Sequence, residues 1–355
     1  MSEKNRLTFS ILIPAHNEEK MISSCVKSCL AQTRRPDEII VINDGSTDKT
    51  AEILRGYGNQ ITVISIDKAT GNKSKAQEIG VKYVNTDIVI ATDGDTILDK
   101  KFVEYIEEEF EHDREIAVVM GYVQSTRHNT LTALREIDYT IGQDLYKRAQ
   151  QYLDFILVIP GCAGAFKTEL FRNGVITFDH DTLTEDLDFS YKINQLGLPV
   201  RFNHKAKVYT QDPPTLHSYI NQMRRWYGGG WQNLKKHFPI IVDNPKAGLI
   251  LSTTYLEGIV LGSLIIITPF INIFLFFKLL TSFVIVGIIL GLYASIRKER
   301  LELFLVSPLF SVLALINSYI LIEQFIKEVI MNKKDMTWFH PERAVNLDTD
   351  KLAKV

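Results

Sequence analysis

From Phe9 to Ala91 the chain alternates short apolar runs with stretches of helical spacing. Phe9-Ser10-Ile11-Leu12-Ile13-Pro14 is an apolar run ended by proline, the pattern of a buried strand. Glu18 to Gln32 then repeats at helical intervals, with Met21, Cys25 and Cys29 on one line and Ile22, Val26 and Leu30 beside it. Glu38-Ile39-Ile40-Val41-Ile42 predicts a second buried strand ending at Asn43-Asp44-Gly45-Ser46, and Thr47 or Asp48 is expected to cap a helix reaching Tyr57. Ile61 to Ile66 predicts a third strand, Lys73 to Val84 a helix, and Asp87 to Ala91 a fourth strand. Strands alternating with helices in this way imply right-handed βαβ units and an α/β domain on a mostly parallel sheet.

The pattern changes after Lys246. From Ala247 to Ile296 the only formal charges are Glu257 and Lys278. Leu249–Pro269 and Ile271–Ala294 each supply roughly the 20 apolar residues that cross a hydrocarbon core, with Pro269-Phe270-Ile271-Asn272 as the connection. Arg297, Lys298 and Arg300 follow, and the positive-inside rule puts that loop in the cytoplasm. A third apolar stretch runs from Leu303 to Ile326 and carries Glu323. Three full spans would send the tail to the far side, whereas Lys327, Lys333, Lys334 and Arg343 favour the near side. One segment lying in the interface reconciles the two. Glu257, mid-span, is expected to pair toward Lys278 or to line a polar pathway.

Composition narrows the classes. The mean of 46% hydrophobic and 23% charged residues hides this division into a charged part and an apolar part. Forty basic against 42 acidic residues give a net charge of −2, so no basic field argues for a nucleic-acid partner. Three cysteines form neither a disulfide framework nor a zinc set, and Cys25 and Cys29 read as core thiols. Met1 to Thr8 is polar and a strand follows at once, so no secretory signal is expected and the N-terminal domain is placed in the cytoplasm.

Parallel sheets bind ligands at the carboxyl ends of their strands. His16-Asn17-Glu18, Asn43-Asp44 and Asp93-Gly94-Asp95 all fall there. Neither GxGxxG nor GxxxxGK[ST] occurs, which argues against a dinucleotide site or a P-loop. Paired carboxylates at a strand end instead suit Mg2+ or Mn2+ holding diphosphate oxygens. Thr184-Glu185-Asp186-Leu187-Asp188 opens a helix with Thr184 as N-cap; its acids either complement the helix dipole or make Asp186 a general base beside Glu185. Gln222 and Arg225 share a helix face and can present an amide and a guanidinium to an oxyanion, while Trp226 offers a flat face to a sugar. The same segment also fits an interfacial helix with a tryptophan anchor.

Taken in order, Pro14-Ala15-His16-Asn17-Glu18, Asn43-Asp44-Gly45-Ser46-Thr47-Asp48, the DxD, the Thr-Glu-Asp and Gln222-x-x-Arg225-Trp226 resemble family 2 glycosyltransferases. The QxxRW element is similar to the membrane branch with the cellulose, chitin, hyaluronan and poly-N-acetylglucosamine synthases. The resemblance, over residues 8 to 343, implies a GT-A-like α/β domain followed by C-terminal transmembrane helices. It implies that Ala15, Asn17 and Glu18 receive the base and ribose of a UDP-sugar, that Asp44 bonds the uracil edge, and that Lys73 neutralises phosphate. It further implies Asp93 as a sugar ligand, Asp95 as the metal ligand, Cys162 within the small-residue segment facing the acceptor, and Asp186 as the base. Gln222, Arg225 and Trp226 would bind the diphosphate and the acceptor end, and Trp338 and Arg343 match the family's trailing pair.

Three departures stand out: Thr210-Gln211-Asp212 where the family shows Thr-Glu, Trp338-Phe339-His340-Pro341-Glu342-Arg343 where it commonly shows Trp-x-x-Thr-x-Arg, and no N-terminal membrane helices. The expected organisation is a cytoplasmic transferase domain (1–220), an interfacial segment (221–246), two to three transmembrane helices (247–326) and a tail (327–355), in a multi-pass cell-membrane protein. The expected activity is inverting, metal-dependent transfer to a membrane-proximal glycan, with processive β-glycan synthesis ahead of single addition to a polyprenyl-linked acceptor. A nucleotidyltransferase and a degenerate membrane scaffold are the other classes. The expected partners are the nucleotide sugar, the glycan or lipid-linked acceptor and membrane lipids; the scarcity of helices leaves room for a partner membrane subunit.

Overall fold

The computed structural model describes residues 6–126, 129–334 and 336. β1 (Phe9–Ala15), α1 (Ile22–Leu30), β2 (Glu38–Asp44), α2 (Thr50–Arg55), β3 (Thr62–Ile66), α3 (Lys73–Val81) and β4 (Ile88–Ala91) form where the periodicity puts them. Neither predicted cap sits at the N-cap of α2: Lys49 stands there without a side-chain cap, and Asp48 one residue earlier accepts the Thr50 N–H with Oδ1 at 2.9 Å. Then come β5 (Ile97–Leu98), α4 (Phe102–His112), β6 (Val118–Thr126), α5 (Thr130–Ile141), α6 (Arg148–Tyr152), β7 (Gly164–Lys167), α7 (Glu169–Arg172), α8 (Glu185–Gln195) and β8 (Val200–Gln211).

One eight-stranded sheet has the order β3-β2-β1-β4-β7-β6-β8-β5. The predicted parallel pairing holds from β3 through β4 and recurs between β6 and β8. β7 runs antiparallel to both β4 and β6, so the sheet is mixed. The reversal has a topological cause. The chain leaves β6 at the edge where β4 ends, makes a helical excursion, and re-enters from that edge, pairing Gly164 with Ala91. The residues leading into β7 therefore arrive directly beside the DxD.

Alternation along β1 feeds two layers. Ile11 and Ile13 join Val26, Cys25, Cys29 and Phe102 on one face, while Leu12 joins Ile40, Val89 and Phe166 on the other. Each such side chain contributes about 1.5–3 kcal/mol on burial, and Cys25 and Cys29 are core thiols as expected.

α9 (Leu216–Lys236) carries the chain to the apolar base: α10 (Pro239–Asp243), α11 (Pro245–Leu251), α12 (Glu257–Ile271), α13 (Ile273–Lys298), α14 (Leu301–Val306) and α15 (Phe310–Phe325). Continuous helical stretches Pro245–Ile271, Ile273–Lys298 and Leu301–Ile330 are long and apolar enough to cross a membrane. Asn272 divides the first two, its Oδ1 accepting the N–H groups of Phe274 and Leu275.

The third stretch begins and ends against the α/β domain. At its start Arg300 donates to both carboxylate oxygens of Glu136 on α5, each at 3.1 Å. At its end Lys235 of α9 donates to the Glu328 carbonyl at 3.0 Å and to Asn332 at 2.7 Å. Between them α15 lies along α9, joined by Tyr219–Asn317, Arg224–Glu323 and Trp231 to the Leu321 carbonyl. Both ends of this stretch thus contact the α/β domain and α9, while α12 and α13 meet at the Asn272 break. The side chain of Glu257, Trp338 and Arg343 lie outside the described residues.

Candidate active site

A cavity of about 540 Å3 opens at the carboxyl edge of the sheet and reaches α9 and α15. Ala15, His16 and Glu18 line it from the end of β1. Asn17, predicted beside them, is not among the lining residues. Its backbone takes a φ of 55°, and its Oδ1 accepts the Thr47 N–H at 2.8 Å, so it ties two loops together. Asp44 lines the cavity from β2 with both oxygens held by Thr70, through the backbone N–H and the hydroxyl, each at 2.7 Å. Gly45 allows this approach: at φ 58° a Cβ there would lie 2.2 Å from the Ala69 nitrogen.

Asp93 and Asp95 follow β4 into the same space. Asn72 caps α3, accepting the Ser74 N–H at 2.9 Å, and so starts the helix at Lys73. The Lys73 ammonium stands 2.6 Å from Asp93 and 3.2 Å from Glu185. Burial works against its charge, but Asp93 and Glu185 outweigh burial and hold it well above the usual lysine range. Gly161 gives this lysine room, since a Cβ there would come within 2.9 Å of Nζ and 3.5 Å of the Asp186 Cβ. Cys162, next along, lines the cavity, and burial pushes its thiol up.

Asp186 sits in the first turn of α8, its Oδ1 accepting the Leu187 N–H at 2.9 Å. Burial, then the Glu185 charge, pushes its carboxyl up to about 6, against the opposing pull of Lys73 and Arg225. Thr184 precedes the helix but its hydroxyl does not cap it; the hydroxyl and carbonyl both accept the Asn233 amide of α9, at 3.0 and 3.1 Å. Gln222, Arg225 and Trp226 line the cavity from that helix, and the buried amide oxygen of Gln222 has no hydrogen-bond partner among the described residues. Outside the cavity Asp179, Asp181 and Asp188 converge on Lys236, at 2.6, 2.8 and 2.8 Å, which pins α8 to α9.

Arg135 and Lys147 escaped sequence reading, and Gln211 and Asp212 find defined partners. Arg135, almost fully buried in α5, pairs with Asp138 and stands 3.4 Å from Asp212, which answers where that acid goes. Its guanidinium also lies 4.9 Å from the Tyr139 ring centroid and 5.3 Å from those of Tyr219 and Trp226. The available signal was a basic residue between Leu134 and Ile137 on an apolar helix face. Gln211 turns its amide to the Met21 sulfur at 3.2 Å. Lys147 lines the cavity and donates to the Val158 carbonyl; burial draws its ammonium down to about 7 despite Asp186.

Glu18, Asp44, Asp93, Asp95, Glu185, Asp186 and Asp212 line the cavity against only Lys73, Lys147 and Arg225. Hard oxygen donors with surplus negative charge, at the end of β4, fit a divalent cation.

Residues 10–173 match the family described as Glycosyl transferase family 2. The poly-beta-1,6-N-acetyl-D-glucosamine synthase of Staphylococcus aureus (strain COL) is 29% identical over 243 residues, covering 67% of this chain and 58% of that protein. The Staphylococcus epidermidis synthase of the same name is 27% identical over 242 residues, 68% and 58% respectively. The chain thus spans under two thirds of the curated relatives it matches. A mannosyltransferase from Pyrobaculum calidifontis, solved with GDP-Man and Mn2+, shares the fold with a TM-score of 0.62 at 16% identity, over 93% of this chain and 89% of that one.

Proposed function

We propose that this chain, whose residues 10–173 match Glycosyl transferase family 2, is a glycosyltransferase that moves N-acetylglucosamine from a UDP-sugar to the end of a β-glycan at the cytoplasmic membrane face, extending it repeatedly. The observation that carries this reading is one cavity that brings the Asp186 carboxyl, raised to about 6, together with Lys73 and the QxxRW side chains and opens toward the apolar base.

Asp186 takes the proton from the acceptor hydroxyl. That oxygen attacks the anomeric carbon opposite the diphosphate, the bond from carbon to phosphate oxygen breaks with its electron pair, and the configuration inverts. General-base help of this kind is worth about 10²–10⁴-fold. Asp95 would hold a divalent ion, Mg2+ or Mn2+, whose Lewis acidity supports the diphosphate. Lys73 and Arg225 bring fixed positive charge to the leaving group, and Asp93 accepts from sugar hydroxyls. Gln222 meets the diphosphate with its amide, and Trp226 stacks against the acceptor sugar. Arg135 holds Trp226 and Asp212 in place from behind.

The test is the full chain in detergent with one UDP-sugar at a time and Mg2+ or Mn2+, measuring UDP release and product length. Metal-dependent turnover of UDP-N-acetylglucosamine into long products is expected. Products one sugar longer than the acceptor would make it a single-addition enzyme, and no UDP release from any sugar would remove the assignment.

A further inference from the structure

The end of α5 is not regular helix. Gly142–Lys147 forms a π turn, a widened geometry that re-aims side chains and is frequent at functional sites. Here it divides its side chains between two environments. Asp144 is buried against the apolar base, accepting from Arg297 Nε at 2.9 Å and from the Tyr293 hydroxyl at 3.4 Å. Gln143 and Lys147 line the cavity instead. The membrane hairpin therefore anchors the turn that carries Lys147.

In its ammonium form Lys147 offers three N–H donors. One goes to the Val158 carbonyl, and among the described residues no carboxylate lies within ion-pair distance of its ammonium. That contrasts with Lys73 in the same cavity, which is saturated by two carboxylates. The sheet order also separates the two lysines. Asp44 stands at β2 and the DxD at β4, followed in space by β7 and then β6. α5 packs on β6, so Lys147 occupies the wall remote from the nucleotide end.

Resting on the transfer reading above, we infer that Lys147 is an acceptor-binding residue. Its two remaining donors hold hydroxyl oxygens of the terminal acceptor sugar while Asp186 takes the proton from the attacking hydroxyl, and Arg297 on Asp144 fixes the turn that aims it. The ligand class is a neutral, hydroxyl-rich sugar end rather than a phosphate.

The test is calorimetric binding of a short β-linked N-acetylglucosamine oligosaccharide, and separately of UDP, to the full chain and to Lys147→Met and Lys147→Arg. Lys147→Met is expected to weaken oligosaccharide binding about tenfold or more, as loss of charged donors does, with UDP affinity unmoved. Lys147→Arg keeps the charge and donors and is expected to recover much of the loss, which excludes misfolding. Equal oligosaccharide affinity in wild type and both variants, or an equal loss of UDP affinity, overturns the inference. UDP release by the wild type reports on the transfer reading itself, so the two fail separately.

Discussion

Gly229 of α9 faces the Thr184 side chain so closely that a Cβ on the glycine would lie 2.4 Å from the threonine Oγ1. The helix with Gln222, Arg225 and Trp226 is thereby seated on the residue that precedes Glu185 and Asp186. Gly229→Ala must push α9 and α8 apart. The expected cost is about 1–3 kcal/mol of stability. The expected loss of transfer is larger than that suggests, about 10²-fold, because an ångström of misplacement is enough. Melting temperature and kcat measured on the same preparation check both; a fully active variant would show that this contact does not set the site.

Asp186 must be ionised to act as a base. With its carboxyl pushed up to about 6, transfer should be complete above that pH and fall as pH drops through it. Asp186→Asn should lower kcat by about 10²–10⁴ or more while UDP-sugar binding persists. A pH–rate profile and equilibrium donor binding test the two halves.

Lys73 lowers the pKa of Asp186. Removing its charge in Lys73→Met should therefore move the acid limb of the pH–rate profile to higher pH, besides weakening donor binding. The same substitution leaves Asp93 and Glu185 without their cation. An unmoved acid limb would place the controlling ionisation elsewhere.

Glu136 is 1% exposed and its carboxylate is held by Arg300. Breaking such a pair leaves a buried charge and costs about 3–5 kcal/mol. Arg300→Met should destabilise the protein, and the double variant Arg300→Met/Glu136→Met should regain most of the loss. Thermal unfolding of the four proteins in the cycle measures the coupling.

Topology is open to labelling. With Cys162 replaced, Cys25 and Cys29 stay buried and silent. Asn272→Cys at the hairpin break should react only from the side opposite the transferase domain, and Lys333→Cys only from the domain side. Reaction of Lys333→Cys from the far side would make the third apolar helix a full span.

Legibility in the sequence followed the range of the interactions. β1 to β4 and their helices were readable because each announces itself within a dozen residues, and the strand-end rule then put Asp44, Asp93 and Asp95 on one edge. Asp186 and Gln222, Arg225 and Trp226 were readable as chemistry, though nothing local said that Thr184 spends its hydroxyl on Asn233. Asn17 was placed in the right loop, but its tie to Thr47 was not visible because that partner is thirty residues away. Arg135 and Lys147 stayed hidden because a partner 77 residues off and a π turn leave no local periodicity. The antiparallel β7 and the packing of α15 along α9 depend on where the chain re-enters, which hydropathy does not encode.

The packing of α15 along α9 has a practical consequence for anyone preparing this protein. A fragment stopped at Lys246 would retain every predicted catalytic residue, yet it would strip the cover from Tyr219 and Trp231 and leave the Arg224 and Lys235 partners behind. Such a fragment is expected to aggregate and to lose transfer even with its motifs intact. Crystallisation, assay and inhibitor screening should therefore start from the detergent- or nanodisc-held chain carried at least through Asn332.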